Sequence, residues 1–236
     1  ELCLEEKSTG IIELSDDAPT GEIYADWSGI ADPIFEVGLT PNRGDCASIR
    51  GIARELASIG LGKLKDNIMP RIKGSYKSPI KWNLELDRRN KNACSYVKGR
   101  HFKGLKNSKS PDWLKSRLNS IGLRPISVLV DLTNYITFDL GRPLHVFDSK
   151  KLRGNLSMRM ANQGERILAL DNKDYKLNEN ILIIADENGP VSIAGVMGGQ
   201  ESSCDEFTTE MFLESAYFNP KNIASSGRQL NILSDA

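Results

Sequence analysis

The sequence predicts an α+β fold with mixed or antiparallel sheets and flanking helices. Two observations carry that expectation. Apolar residues recur at helical spacing in separate stretches around 46–59 and 126–138, and a Ser-Pro pair opens another short helix at 110–118. Between residues 156 and 215 the pattern turns to short alternating or β-branched runs separated by turn residues, before a last helix opens at Asn219-Pro220.

Taken in order, residues 1–40 read as strands and turns. Residues 11–14 form a short strand that Asp16, Asp17, Pro19 and Gly21 break, and residues 33–39 form the next. A turn at 40–46 leads into a helix with Asp45 as its N-cap, an apolar face through Ile49, Ile52, Leu56 and Ile59, and Gly60 and Gly62 at its end. Residues 63–80 are polar and basic and contain Pro70 and Pro79, which suits a linker or a crossing between two lobes. Residues 82–86 and 94–100 are strands. Ser110 caps a helix with Pro111 at its first position. The helix over 126–138 is closed by Gly141. Strands follow at 156–160, 166–170, 180–185, 190–196 and 211–215, with a tight hairpin turn at 171–174. The final helix runs through Leu230.

With 236 residues, 39% apolar and 26% charged, the chain suits one large domain or two tightly joined ones. No apolar run could span a bilayer. The first residues carry neither a secretory pattern nor an initiator methionine, so the chain reads as a cytoplasmic piece of something longer. Cys3, Cys46, Cys94 and Cys204 lie far apart with no CxxC pair, which argues against a zinc site or a disulfide scaffold and for reduced thiols. Net charge is zero but unevenly spread: residues 61–120 hold 16 Lys/Arg against 4 Asp/Glu. That excess is either a solvated face or a surface facing phosphates.

His145, one of two histidines, lies beside a proline with apolar neighbours, in what reads as a fixed, semi-buried turn. It is either a core histidine satisfied by hydrogen bonds or a group that holds water or moves protons near neutral pH. Glu214 interrupts an apolar strand. It either points to water at a strand end or accepts from a hydroxyl or ammonium in a pocket. Arg124, before Pro125, is a surface ion-pair partner or a phosphate contact. The glycines at 195, 198 and 199 lack the lysine of a phosphate loop and allow close backbone approach instead. There is no acidic metal cluster, no HxxxH and no GxSxG, so hydrolysis by this chain would use a positioned water rather than a covalent nucleophile.

Eight runs together resemble one family. They include Gly141-Arg142-Pro143-Leu144-His145-Val146-Phe147-Asp148, Ile193-Ala194-Gly195-Val196-Met197-Gly198-Gly199 and Phe212-Leu213-Glu214-Ser215-Ala216-Tyr217-Phe218, with the others at 36–46, 51–57, 111–118, 123–125 and 131–135. They span most of the chain, in order, and resemble the bacterial phenylalanyl-tRNA synthetase beta subunit. The resemblance implies a tail of the B1 region over 1–35 and a B3/B4-like tRNA-editing domain of two intimately packed lobes over 36–236, truncated at its end. It implies hydrolysis of tyrosine misattached to tRNA(Phe), with Glu214 taking the tyrosine hydroxyl, His145 holding the terminal adenosine or the attacking water, and Arg124 near the acceptor end. Gly198, Ser234 and Ala236 would shape the pocket, Ser234 standing where the family has threonine. The partners implied are tRNA(Phe) and an alpha subunit in an (αβ)2 heterotetramer. The resemblance implies no cofactor for this segment; ATP and magnesium serve the full synthetase, whose aminoacylation site lies in the alpha subunit. A noncatalytic tRNA-binding or structural module is the alternative.

Overall fold

The computed structural model describes residues 11, 13–31 and 33–233. It divides into two compact units between Val37 and Gly38. The first carries one short helix, α1 (Tyr24–Trp27), closed by the Ser28 hydroxyl donating to the Tyr24 carbonyl at 2.6 Å. The strands expected at 11–14 and 33–39 do not form among the described residues; Ile12 lies outside them. Phe35 is 80% exposed. Alternation alone does not make a strand, because the backbone needs a neighbour to complete its ladder, and none is supplied here.

The second unit opens with a 3-10 turn (Gly44–Cys46) and α2 (Ile49–Ser58). The N-cap is Ser48, whose hydroxyl accepts from the Gly51 amide at 2.9 Å, and not Asp45. The extra turn moves Asp45 out of capping register, and it pairs instead with Arg43 and Arg54 at 3.1 and 2.8 Å. Gly60, at φ +83°, takes the left-handed conformation just past the helix. No regular element follows until β1 (Trp82–Glu85), in keeping with a linker.

Two sheets build the body. The larger, in the order β1-β4-β7-β8-β9, consists of β1, β4 (Leu156–Met160), β7 (Leu182–Ala185), β8 (Pro190–Ile193) and β9 (Met197–Gly198). Its β1–β4 pair is parallel and its other pairs antiparallel, so the sheet is mixed. All four residues of β7 are buried, which explains why they are continuously apolar. The smaller sheet sets the long central β10 (Glu210–Phe218) between β2 (Cys94–Lys103) and β3 (His145–Asp148), all antiparallel. The two sheets share a core in which Phe147 and Phe212 meet Leu156, Met158 and Ile184. A hairpin, β5 (Arg166–Leu168) and β6 (Asp174–Lys176), turns through Asn172 at φ 63°. A second core gathers Ile167, Leu177, Ile183 and Ile193 against Ile223 and Leu230 of α5 (Pro220–Leu230). The Asn219 side chain caps α5 by accepting from the Lys221 amide at 2.9 Å.

α3 (Asp112–Ser120) begins one residue later than the Ser-Pro pair suggests, with Pro111 at the cap. The Ser110 hydroxyl is committed elsewhere. It donates at 2.5 Å to the fully buried Asp131 of α4 (Val128–Leu140), which also accepts from the Ile126 amide at 2.9 Å. Gly141, at φ +68°, ends α4 and turns the chain toward β3.

Candidate active site

The site begins with that turn. After Gly141 the chain runs through Arg142, Pro143 and Leu144 and enters the small sheet at His145, the first residue of β3. The ring therefore stands on a strand and not in the turn its neighbours suggest. Antiparallel register sets His145 directly opposite Glu214 on β10, with Gly99 of β2 on Glu214's other side. Two residues 69 positions apart in sequence thus become cross-strand neighbours on one face.

Glu214 is only 6% exposed and shares the buried face of β10 with Phe212 and Ala216. It does not point to water. Among the described residues no hydrogen bond or ion pair reaches its carboxylate. Loss of water raises its pKa to about 7, and the positive charge of Arg142 pulls the other way. The His145 ring lies edge-on to Phe147 at 4.5 Å, and its buried Nε2 has no partner among the described residues, so it is not a core histidine that they satisfy at both nitrogens. Burial lowers its pKa to about 4, leaving the imidazole neutral at physiological pH. Gly198 faces it. A Cβ at that position would overlap the ring at Cε1 and come within 2.8 Å of Nε2 and 3.1 Å of Leu170 Cδ1. The absence of a side chain at 198 is what lets the imidazole sit where it does.

These three residues line one cavity of about 820 Å3. Its walls are mainly apolar, with Leu144, Ile193, Met197, Phe218, Ile223 and Leu233 among them. Two cations also line it, Arg142 and Arg228, and sequence reasoning singled out neither. Arg142 lay inside the quoted His145 run, but the strand it reaches could not be read from that run. Its Nε donates to Ser215 Oγ at 3.2 Å and its Nη2 donates to the Ala216 carbonyl.

Arg124 is exposed on the connection between α3 and α4 and does not line the cavity. Ser234 and Ala236, with Asp235 between them, lie outside the described residues, although Ile232 and Leu233 just before them line the cavity. Among the described residues one group of possible metal ligands comes together, Asp45, Cys46 and Glu55. It does not suit an ion: Arg43 holds Glu55 at 2.6 Å, Arg54 holds Asp45 at 2.8 Å, and the group lies away from the cavity. No helix among the described residues is long and apolar enough to cross a membrane.

A pocket that offers a buried carboxyl and a neutral imidazole on adjacent strands is thus in place, and residues 93–236 match the family described as B3/4 domain. The chain belongs to that family. Over all 236 residues it is 54% identical to the phenylalanine–tRNA ligase beta subunit of Brucella abortus (strain 2308). It is 50% identical over the same span to that of Rhodopseudomonas palustris. In both comparisons the whole chain is covered but only 29% of the relative, so it spans less than a third of the length of these subunits. Among solved structures it is similar to an N-terminal fragment of the phenylalanyl-tRNA synthetase beta subunit from Pyrococcus horikoshii, with a TM-score of 0.47 and 15% identity over 80% of this chain and 59% of that one.

Proposed function

We propose that this domain hydrolyses tyrosine wrongly esterified to tRNA(Phe). The observation that carries the reading is the buried carboxyl of Glu214, unpartnered among the described residues, which lines one cavity beside its cross-strand neighbour His145. A carboxylate stripped of water and of protein donors gains most from a ligand that brings a donor. Tyrosine brings a phenolic O–H. Phenylalanine, identical but for that group, leaves the carboxylate unpaired, a difference of about 1–3 kcal/mol. A pocket that binds by an apolar wall alone could not separate the two, whereas a buried acceptor can.

The reaction is ester hydrolysis: water adds to the acyl carbon, the bond to the ribose oxygen breaks, and tyrosine and free tRNA leave. His145, neutral and with a pKa near 4, is a weak proton acceptor at pH 7. Its unpartnered Nε2 is better suited to holding the attacking water or the terminal adenosine by a hydrogen bond than to removing a full proton. Rate enhancement then comes chiefly from orientation. Arg124, outside the pocket, would serve on the tRNA, and Ser234 and Ala236 keep the pocket-shaping role that the resemblance implies.

In this reading residues 1–35 belong to a preceding B1-like region and 36–236 to the editing domain. The whole ligase would supply an alpha subunit, and ATP and magnesium at its aminoacylation site. The test is deacylation of tyrosyl- and phenylalanyl-tRNA(Phe) by the complete ligase carrying this chain. Glu214→Ala should lose most of the preference for the tyrosyl ester, and His145→Ala should lower kcat on both esters. An unaltered preference after Glu214→Ala would remove the proposed role of that residue.

A further inference from the structure

We propose that Arg142 is the positioning residue of the hydroxyl-reading group: it braces β10 immediately beyond Glu214 and sets its positive charge on the same cavity as that carboxyl. The inference rests on the reading of Glu214 given above.

The geometry starts from the end of a ladder. β3 pairs with β10 from Asp148 back to His145, which faces Glu214, and there the pairing stops. Pro143 lies two residues before His145 and has no N–H to offer, so β10 loses its backbone partner on that edge at Ser215 and Ala216. The Arg142 guanidinium takes the place of the missing ladder, donating to the Ser215 hydroxyl at 3.2 Å and to the Ala216 carbonyl. The two residues it grips are the two that follow Glu214. Only two of its five N–H donors are used in this way, and among the described residues no carboxylate lies within ion-pair distance. A structural arginine would normally have its charge matched by an acid. Among the described residues this one brings an unmatched charge to the cavity that holds an unmatched carboxyl.

That charge is the influence that opposes dehydration of Glu214. The other titratable groups around the carboxyl do not replace it. His145 on β3 is neutral at physiological pH. The Cys94 thiol on β2 is raised, chiefly by burial and in part by Glu214 itself. Tyr217 on β10, Arg228 on α5 and Ser192 on β8 also line the cavity. Without Arg142, Glu214 would stay protonated to higher pH and would meet a phenol as a neutral acid.

Three variants of the complete ligase separate brace from charge: Arg142→Met removes both, Arg142→Lys keeps the charge but not the two-point grip, and Ser215→Ala removes one strut. The readouts are kcat and KM on tyrosyl- and phenylalanyl-tRNA(Phe) from about pH 5.5 to about pH 9, and a carbon-13 titration of the Glu214 carboxyl. In the unaltered enzyme, preference for the tyrosyl ester should grow as pH rises through neutrality. In Arg142→Met its onset and the carboxyl titration should both move up by about one pH unit, with KM for the tyrosyl ester rising more than kcat falls. Arg142→Lys should restore the onset while KM stays raised, and Ser215→Ala should leave the onset in place. The same onset and titration in Arg142→Met as in the unaltered protein would overturn the proposal, as would failure of lysine to restore them. If the unaltered enzyme spares tyrosyl-tRNA(Phe) altogether, the editing reading falls by itself, and the carbon-13 titration still decides the role of Arg142.

Discussion

Burial acts in opposite directions on the two polar groups of the cavity. It lifts the Glu214 carboxyl to about 7 and drops the His145 imidazole to about 4, because in each case it penalises the charged form. At neutral pH the pocket therefore holds an imidazole with no charge and a carboxyl near its midpoint, a pairing suited to hydrogen bonding more than to strong acid–base work. The imidazole depends on Gly198. In Gly198→Ala the new methyl would meet the ring, which is packed against Phe147 and cannot retreat freely. The expected result is a destabilisation of about 1–3 kcal/mol in chemical denaturation and a fall in deacylation rate, because the ring and not merely the free volume is displaced. Stability and rate both unchanged would show that the ring has room. Glu214 and His145 were legible as polar residues in apolar runs, but the direction each faces was not. Arg142 went unremarked because its meaning lies in Ser215 and Ala216, more than 70 positions away.

At the scale of elements, the β3–β10 pair joins two titrations of opposite sign. Glu214 has a folded pKa above its unfolded value, so the unfolded state loses its proton first. Its contribution destabilises the fold as pH rises from about 4.5 through about 7 and is absent below that window. His145 has a folded pKa below its unfolded value, so the unfolded state gains a proton first, and stability is lost as pH falls from about 6.5 through about 4. The windows overlap and the two effects offset each other in the intact protein. Single variants separate them. Relative to the unaltered chain, Glu214→Gln should become more stable as pH rises across its window, and His145→Asn as pH falls across its own, each by on the order of 2 kcal/mol. Urea melts at several pH values measure this, and a flat difference for either variant would mean that its group is solvated. Elements were readable where local chemistry decided them. The apolar run of β7, the Asp171–Asp174 hairpin and the helix opened by Asn219-Pro220 fall where the sequence expects them. The strand at 33–39 and the caps at Asp45 and Ser110 did not, because a partner strand, an inserted 3-10 turn and the buried Asp131 decided them.

For the molecule as a whole, the cavity exists only once distant pieces converge: the α4–β3 turn, the β8–β9 glycines, the centre of β10 and the inner side of α5. Turn and strand types could be read piece by piece, but their meeting depended on registers and packing set over long sequence separations, and only the resemblance to a family anticipated it. The excess of 16 basic over 4 acidic residues along 61–120, in a chain neutral overall, is what the proposed tRNA partner would call for. The central claim is narrower: an unpartnered carboxylate reads one hydroxyl. It is tested most directly by calorimetric binding of two stable mimics of the aminoacylated tRNA end, 3′-tyrosylamino- and 3′-phenylalanylamino-adenosine, to the protein with Glu214 and with Glu214→Ala. The account predicts that the tyrosyl mimic binds about tenfold or more tightly than the phenylalanyl mimic and that Glu214→Ala abolishes the gap. Equal affinities for the two mimics with Glu214 in place would contradict it.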